Sequence, residues 1–193
     1  SYSNDGYALL SYVVDQAAGI SLEEFLDERV FKPLGMTRTV LDLDAGEARK
    51  IAGENMTSLF ERDEETGELI CDDNWSVLPP FRGCACVKST ASDMTRYYKM
   101  LSDKGRWEGK HVIPEEAIEE MVGSRFPLSE KPFYCLGLEK SLMSGTIMCY
   151  HSGGLHGVSS RGGFLAGGYS AAVLCNEGDV SMEEFLWACW NFI

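Results

Sequence analysis

The sequence predicts an α+β fold in which a helical region, residues 1 to about 125, packs on an antiparallel sheet with a covering C-terminal helix. Three observations carry this. Apolar residues recur at helical spacing through the first part of the chain; after about residue 130 they alternate at strand spacing between short turns; and the last dozen residues return to a helical pattern behind a capping signal. Residues 1–193 form one domain, with 126–193 supplying the strands and the last helix.

Residues 6–18 place Leu9, Leu10, Val13, Val14 and Ala17 on one stripe, and Gly19 follows as a C-terminal stop. Ser21-Leu22-Glu23-Glu24 is a capping box that opens a second helix carrying Leu22, Phe25, Leu26 and Val30, ended by Pro33. From 40 to 80 the chain is acidic and irregular, and Glu64-Glu65-Thr66-Gly67 between Leu59-Phe60 and Leu69-Ile70-Cys71 reads as a hairpin turn. Pro79-Pro80 closes this section. Residues 93–103 are amphipathic, and Pro114 opens a further helix through Val122 that Gly123 stops. Strands follow at 133–142, 146–151, 158–166 and 169–176, with turns at Met143-Ser144-Gly145 and Ala166-Gly167-Gly168. Ser181-Met182-Glu183-Glu184 is another capping box, ahead of a helix carrying Phe185, Leu186, Trp187, Cys189, Trp190 and Phe192.

The formal net charge of −13 argues against a phosphate-tracking surface, so nucleic acid is not an expected partner. No apolar run reaches the roughly 18 residues of a membrane span. The seven cysteines are odd in number and irregularly spaced. Cys84-Ala85-Cys86 is neither a redox nor a zinc pattern, so no metal or cofactor is expected, and the thiols read as small buried hydrophobes of a reducing compartment.

Two short motifs suggest chemistry: Tyr2-Ser3-Asn4, and His151-Ser152-Gly153-Gly154 within a glycine-rich stretch. Alone, the first also fits turn chemistry and the second a hairpin with a capping histidine. Longer segments accompany them: Pro33-Leu34-Gly35-Met36-Thr37-Arg38-Thr39, Gly83-Cys84-Ala85-Cys86-Val87-Lys88-Ser89-Thr90-Ala91-Ser92-Asp93-Met94, and Val173-Leu174-Cys175-Asn176. Together they resemble the penicillin-recognising serine hydrolases: class C β-lactamases, DD-carboxypeptidases and related esterases. The segments are similar to that family's Tyr-x-Asn motif, its "PLGM-x-x-T" turn, its "GG-x-x-ST-x-x-D" segment with Cys84 at the second glycine, and a histidine variant of its Lys-Thr-Gly strand. Residues 40–80 are unmatched. No serine here has lysine three positions later, so the Ser-x-x-Lys nucleophile motif is absent and the chain reads as the C-terminal part of such a hydrolase, a β-lactamase/transpeptidase-like fold that is incomplete.

The resemblance implies hydrolysis of an amide or ester through an acyl-serine intermediate, without metal, on a small-molecule or peptide substrate. Tyr2 would be the base or proton relay, its phenol helped toward ionisation by neighbouring positive charge. His151 would orient a carboxylate or share the proton, and Gly154 N–H would be one oxyanion donor. Asn4, Ser152 and Gly153 would bind substrate, between the helical region and the 146–151 strand. Ser92 would cap the helix behind it, with Asp93 at that helix's positive end. His156 is expected to be exposed and outside the chemistry. The resemblance also puts the His151 strand at the sheet's active-site edge and leaves 169–176 as an open apolar edge, ready to pair with an N-terminal segment or another copy. It implies the cell envelope or secretion, against the reducing compartment that the cysteines favour. A competing expectation is a catalytically inactive binding or regulatory module that keeps the pocket.

Overall fold

A computed structural model describes residues 2–123, 126–127, 133–143, 145–166 and 168–191. Helix α1 (Asn4–Ala18) starts two residues earlier than expected because the Ser3 hydroxyl accepts the Gly6 N–H at 3.0 Å; Gly19 ends it in the left-handed region, φ 72°. Helix α2 (Leu22–Leu26) is capped by Ser21 and runs on as a wide π turn over Asp27–Phe31 before Pro33. Strand β1 (Val40–Leu41) and helix α3 (Gly46–Ala52) precede the expected hairpin, β2 (Phe60–Arg62) with β3 (Leu69–Cys71). The Asp63 carboxylate accepts from the Glu65 and Thr66 N–H groups and holds that turn. After a 3-10 turn at Pro79–Gly83, strand β4 (Val87–Lys88) pairs with β1.

Helix α4 (Ala91–Ser102) is capped not by Ser92 but by Thr90, whose hydroxyl accepts the Asp93 N–H at 3.2 Å. Ser92 lies inside the first turn, past the point from which a side chain can serve the orphan N–H groups. The small hairpin β5 (Arg106–Trp107) with β6 (Lys110–His111) and helix α5 (Glu115–Gly123) follow.

The main sheet contains β7 (Phe126–Pro127), β8 (Phe133–Tyr134), β9 (Glu139–Met143), β10 (Thr146–Leu155), β11 (Val158–Leu165) and β12 (Ser170–Cys175), in the order β12-β11-β10-β9-β8-β7, all antiparallel. Two expectations are corrected here. The stretch 133–142 is a tight hairpin, not one strand: Gly137 takes φ 83°, Cys135 N–H donates to Leu138 O at 2.7 Å, and Tyr134 folds back opposite Glu139. And the His151 strand is not the sheet's edge, because β9, β8 and β7 continue the sheet beyond it. The β9 pairing stops at Tyr150↔Glu139, however, so the half from His151 to Leu155 is paired on the β11 side alone. Strand β12 closes the other end of the sheet order. Ser144 and Gly167, in the expected strand turns, and Phe192, on the expected last helix, lie outside the described residues.

Period-two alternation along β10 splits the core. Cys149 faces a cluster with Phe31, Leu34, Met36, Tyr98, Met100, Leu101 and Ile118, whereas Met148 and Tyr150 face Leu186 and Trp190 of helix α6 (Glu183–Asn191). The fold is therefore helices, sheet, covering helix. Each fully buried Leu or Met contributes roughly 1.5–3 kcal/mol. Helix α6 opens at Glu183, later than a Ser181 cap requires, behind buried Met182, whose carbonyl takes the Leu186 N–H. Helix α4 lies close on β11 because Gly162 has no Cβ to meet the Tyr98 ring.

The α1 stripe joins the core only through Val14, which packs against Leu22, Leu41 and Cys86. Leu9, Leu10 and Val13 are exposed, and the helix instead buries Ala8 and Ser11. Its contact is with the Pro79–Gly83 turn: a Cβ at Gly83 would overlap the Tyr7 carbonyl and come within 2.9 Å of Ser11 Cβ. Arg82 of that turn binds Asp15 of α1 and, at 3.0 Å, Glu23 of α2. The closest face of an amphipathic helix is here set by a glycine and an ion pair, not by its largest apolar residues.

Candidate active site

Three of the matched segments converge on one cleft. Ser3 is the cap of α1, which fixes the backbone on either side of it: Tyr2 just outside the helix and Asn4 at its first position. The Tyr2 hydroxyl donates to Asn4 Oδ1 at 2.8 Å. Across the cleft stands β10, where alternation puts His151 on the Cys149 face, toward the helical region. The Tyr2 and His151 rings lie 6.0 Å apart, centroid to centroid. Residues 149 positions apart thus meet because the start of α1 and the half-open end of β10 line the same cavity.

Ser152, Gly153 and Gly154 line the cleft on the stretch that β9 leaves unpaired. The carbonyl of Ser152 accepts from His151 Nδ1 at 2.6 Å. Gly153 is needed within the fold itself, since a Cβ there would sit 2.7 Å from Ser160 Oγ on β11. Gly154 has no such constraint: a Cβ would meet nothing within 4 Å.

Tyr134 was not singled out from the sequence, where it sits inside an ordinary apolar run. The hairpin at Gly137 carries it under the site. Its ring meets Tyr2 edge-on at 5.5 Å, and its hydroxyl lies 3.1 Å from His151 Nε2. Burial, followed by the neighbouring Tyr7 and Tyr2, pushes its phenol well above the ordinary value.

Electrostatics corrects one further expectation. The phenol of Tyr2 is raised, not lowered: burial is the largest cause, and Cys84, Tyr7 and Glu139 add to it. No cation acts on it among the described residues. Lys88 lines the same cleft, but burial lowers its ammonium and its Nζ is bound to the Asp42 carbonyl.

The cleft encloses about 980 Å³, and its far wall comes from the segment the motifs left unassigned. Leu59 and Asn74–Leu78 line it; the buried indole N–H of Trp75 has no hydrogen-bond partner among the described residues. That segment is pinned to the sheet. Phe60 N–H donates to Asn176 O at 2.9 Å, Asn176 Nδ2 donates to Ser58 O, and Arg62 meets Glu177 at 2.6 Å. His156, at the tip of the β10–β11 hairpin, is 43% exposed, contacting Glu61 at 3.0 Å and Asp72 at 3.1 Å; its contacts anchor the hairpin β2–β3.

The Pro33–Thr39 turn and Asp93 serve the fold. Asp93 Oδ2 accepts from Arg38 N–H and Thr39 Oγ1, each at 2.9 Å, so the Pro33–Thr39 turn and the start of α4 are one buried network. None of Arg38, Thr39 and Asp93 borders the main cleft.

Comparison with known proteins bears on the family and the fold. A penicillin-binding protein of Bacillus subtilis is 27% identical over 165 residues, covering 82% of this chain and 35% of its own length. Among solved structures, a D-stereospecific amidohydrolase from Streptomyces sp. superposes with a TM-score of 0.74 at 25% identity, over 92% of this chain and 50% of that one. An octameric penicillin-binding protein homologue from Pyrococcus abyssi gives 0.75 at 24% identity, over 91% and 38%. The chain thus spans about a third to a half of the length of these relatives. The sequence profile described as Beta-lactamase matches residues 1–185, and the chain belongs to that family.

Proposed function

We propose that this chain supplies the accessory half of an acyl-transfer site for a small amide or ester, in a hydrolase whose nucleophilic serine and lysine come from a Ser-x-x-Lys element outside these 193 residues. The observation that carries the reading is the convergence of Tyr2 and His151, 6.0 Å apart, over a cleft lined by Asn4, Ser152, Gly153 and Gly154. In this reading Tyr2 relays the proton between nucleophile and leaving group, and His151 orients the substrate or shares that proton. Gly154 N–H, on the half-open end of β10, is one oxyanion donor. Asn4, whose side-chain oxygen is engaged by Tyr2, has its amide hydrogens for a substrate carbonyl. The raised phenol of Tyr2 fits a base that becomes competent only when a cation, such as the lysine of Ser-x-x-Lys, is brought beside it. The exposed stripe of Leu9, Leu10 and Val13 supports a covering segment on α1.

The same raised phenol favours a second reading, a pocket retained for binding without chemistry. One experiment separates them. In the protein expressed together with a Ser-x-x-Lys segment, His151→Ala and Tyr2→Phe should each slow acylation by a fluorescent penicillin or a chromogenic ester by ~10²–10⁴, the range of general acid–base groups, while leaving the folded state intact. Losses below about tenfold for both variants would count against the hydrolase reading. Stoichiometric acylation of the 193-residue chain alone, read by intact mass, would show that the nucleophile lies within it after all.

A further inference from the structure

We propose that Tyr134 is a positioning residue: its hydroxyl donates to His151 Nε2 and so fixes both the ring orientation and the tautomer of the motif histidine. The argument is a donor and acceptor count. His151 Nδ1 lies 2.6 Å from the Ser152 carbonyl, which can only accept, so Nδ1 carries a hydrogen. In the neutral imidazole the other nitrogen then holds a lone pair, and the atom facing it at 3.1 Å is the Tyr134 hydroxyl. That hydroxyl must donate.

The placement is built into the fold. Tyr134 is 8% exposed, and its ring stands edge-on to both Tyr2 (5.5 Å, 89°) and His151 (5.9 Å, 78°), so one buried side chain sets the height of the two rings above it. Gly137 serves the arrangement through its φ of 83°, which closes the hairpin that brings Tyr134 opposite Glu139. Glu139 in turn pairs with Tyr150, the residue before His151, so the hydroxyl and the imidazole are held by adjacent rungs of one sheet. A ring held at both nitrogens cannot flip. This deepens the hydrolase reading by stating what keeps His151 oriented, but it stands on contacts within the free chain.

The test therefore needs no catalysis. Long-range ¹⁵N–¹H spectra of the unliganded chain, recorded where His151 is neutral, report which ring nitrogen is protonated. We expect Nδ1–H to predominate. In Tyr134→Phe, which keeps the ring contacts and removes only the hydroxyl, the ratio of Nδ1–H to Nε2–H should fall by about two- to tenfold, the worth of one hydrogen bond. A merely structural tyrosine would leave that ratio alone. Should Tyr134→Phe not fold, 3-fluorotyrosine at position 134, isosteric and a stronger donor, should instead move the ratio further toward Nδ1–H. An Nε2–H tautomer in the unsubstituted protein, or a ratio unmoved in a folded variant, would overturn the proposal. A confirmed tautomer together with full acylation by His151→Ala would leave the positioning intact and remove the hydrolase reading instead.

Discussion

Asp93→Ala tests how the two longest motifs are joined. Asp93 is 4% exposed, and a single oxygen, Oδ2, accepts from the Arg38 N–H and the Thr39 hydroxyl, each at 2.9 Å. Since Thr39 spends its one hydrogen on Asp93, Ser89 donates to Thr39 Oγ1 at 2.7 Å. Alanine removes two hydrogen bonds to a charged group, each worth about 1.5–3 kcal/mol, but Thr39 can turn its hydrogen toward Ser89, leaving chiefly the Arg38 N–H without an acceptor. The net loss should be about 3–4 kcal/mol. At about 2–4 °C per kcal/mol for a chain of this length, that is a drop in Tm of roughly 6–16 °C. Asp93→Asn keeps an acceptor oxygen at the Oδ2 position and turns only its amide toward Arg96, 3.9 Å from Oδ1, so it should lose about 1 kcal/mol. Urea unfolding of both variants, with Thr39→Val completing a double-mutant cycle against Asp93→Ala, should show a coupling above about 1 kcal/mol. A loss below 1 kcal/mol in Asp93→Ala, or equal losses in the alanine and asparagine variants, would refute the network.

Gly162→Ala and Gly154→Ala should differ sharply: the first drives a methyl into the Tyr98 ring and should cost about 1–3 kcal/mol in urea unfolding, whereas the second meets nothing within 4 Å and should stay within about 0.5 kcal/mol. Burial pushes the Cys149 thiol from 9.0 to about 11, with Cys135 adding to the rise. At pH 8 its thiolate should be about a hundredfold scarcer than an ordinary thiol's, so mass spectrometry after brief iodoacetamide treatment should find exposed Cys71 and Cys189 labelled and Cys149 intact. Because the folded value lies above the unfolded one, this contribution to stability is constant below about pH 9 and is lost as pH climbs through 11; rapid labelling of Cys149 at pH 8 or a flat alkaline limb would contradict it.

The sequence by itself determined what depends on neighbours along the chain. Caps at Ser3 and Ser21, the left-handed stop at Gly19, the Asp63 turn and the alternation along β10 and β11 are local chemistry, and each forms much as its residues require. The family was legible for the same reason, in short runs such as Pro33–Thr39 whose residues serve one turn. The tertiary structure alone decided which surfaces meet. Leu9, Leu10 and Val13 read as a core stripe, yet Gly83 and Arg82 bring the opposite face of α1 inward, because backbone approach and a paired charge set the helix's rotation. The run 133–142 alternates like a strand, and only the reversal at Gly137 turns it into a hairpin that delivers Tyr134 to His151. Local pattern cannot encode a contact between residues 17 or 149 positions apart. Nor could it show that Tyr2, a motif tyrosine, would have its phenol raised by the cavity around it, since desolvation belongs to the packed molecule and not to the residue.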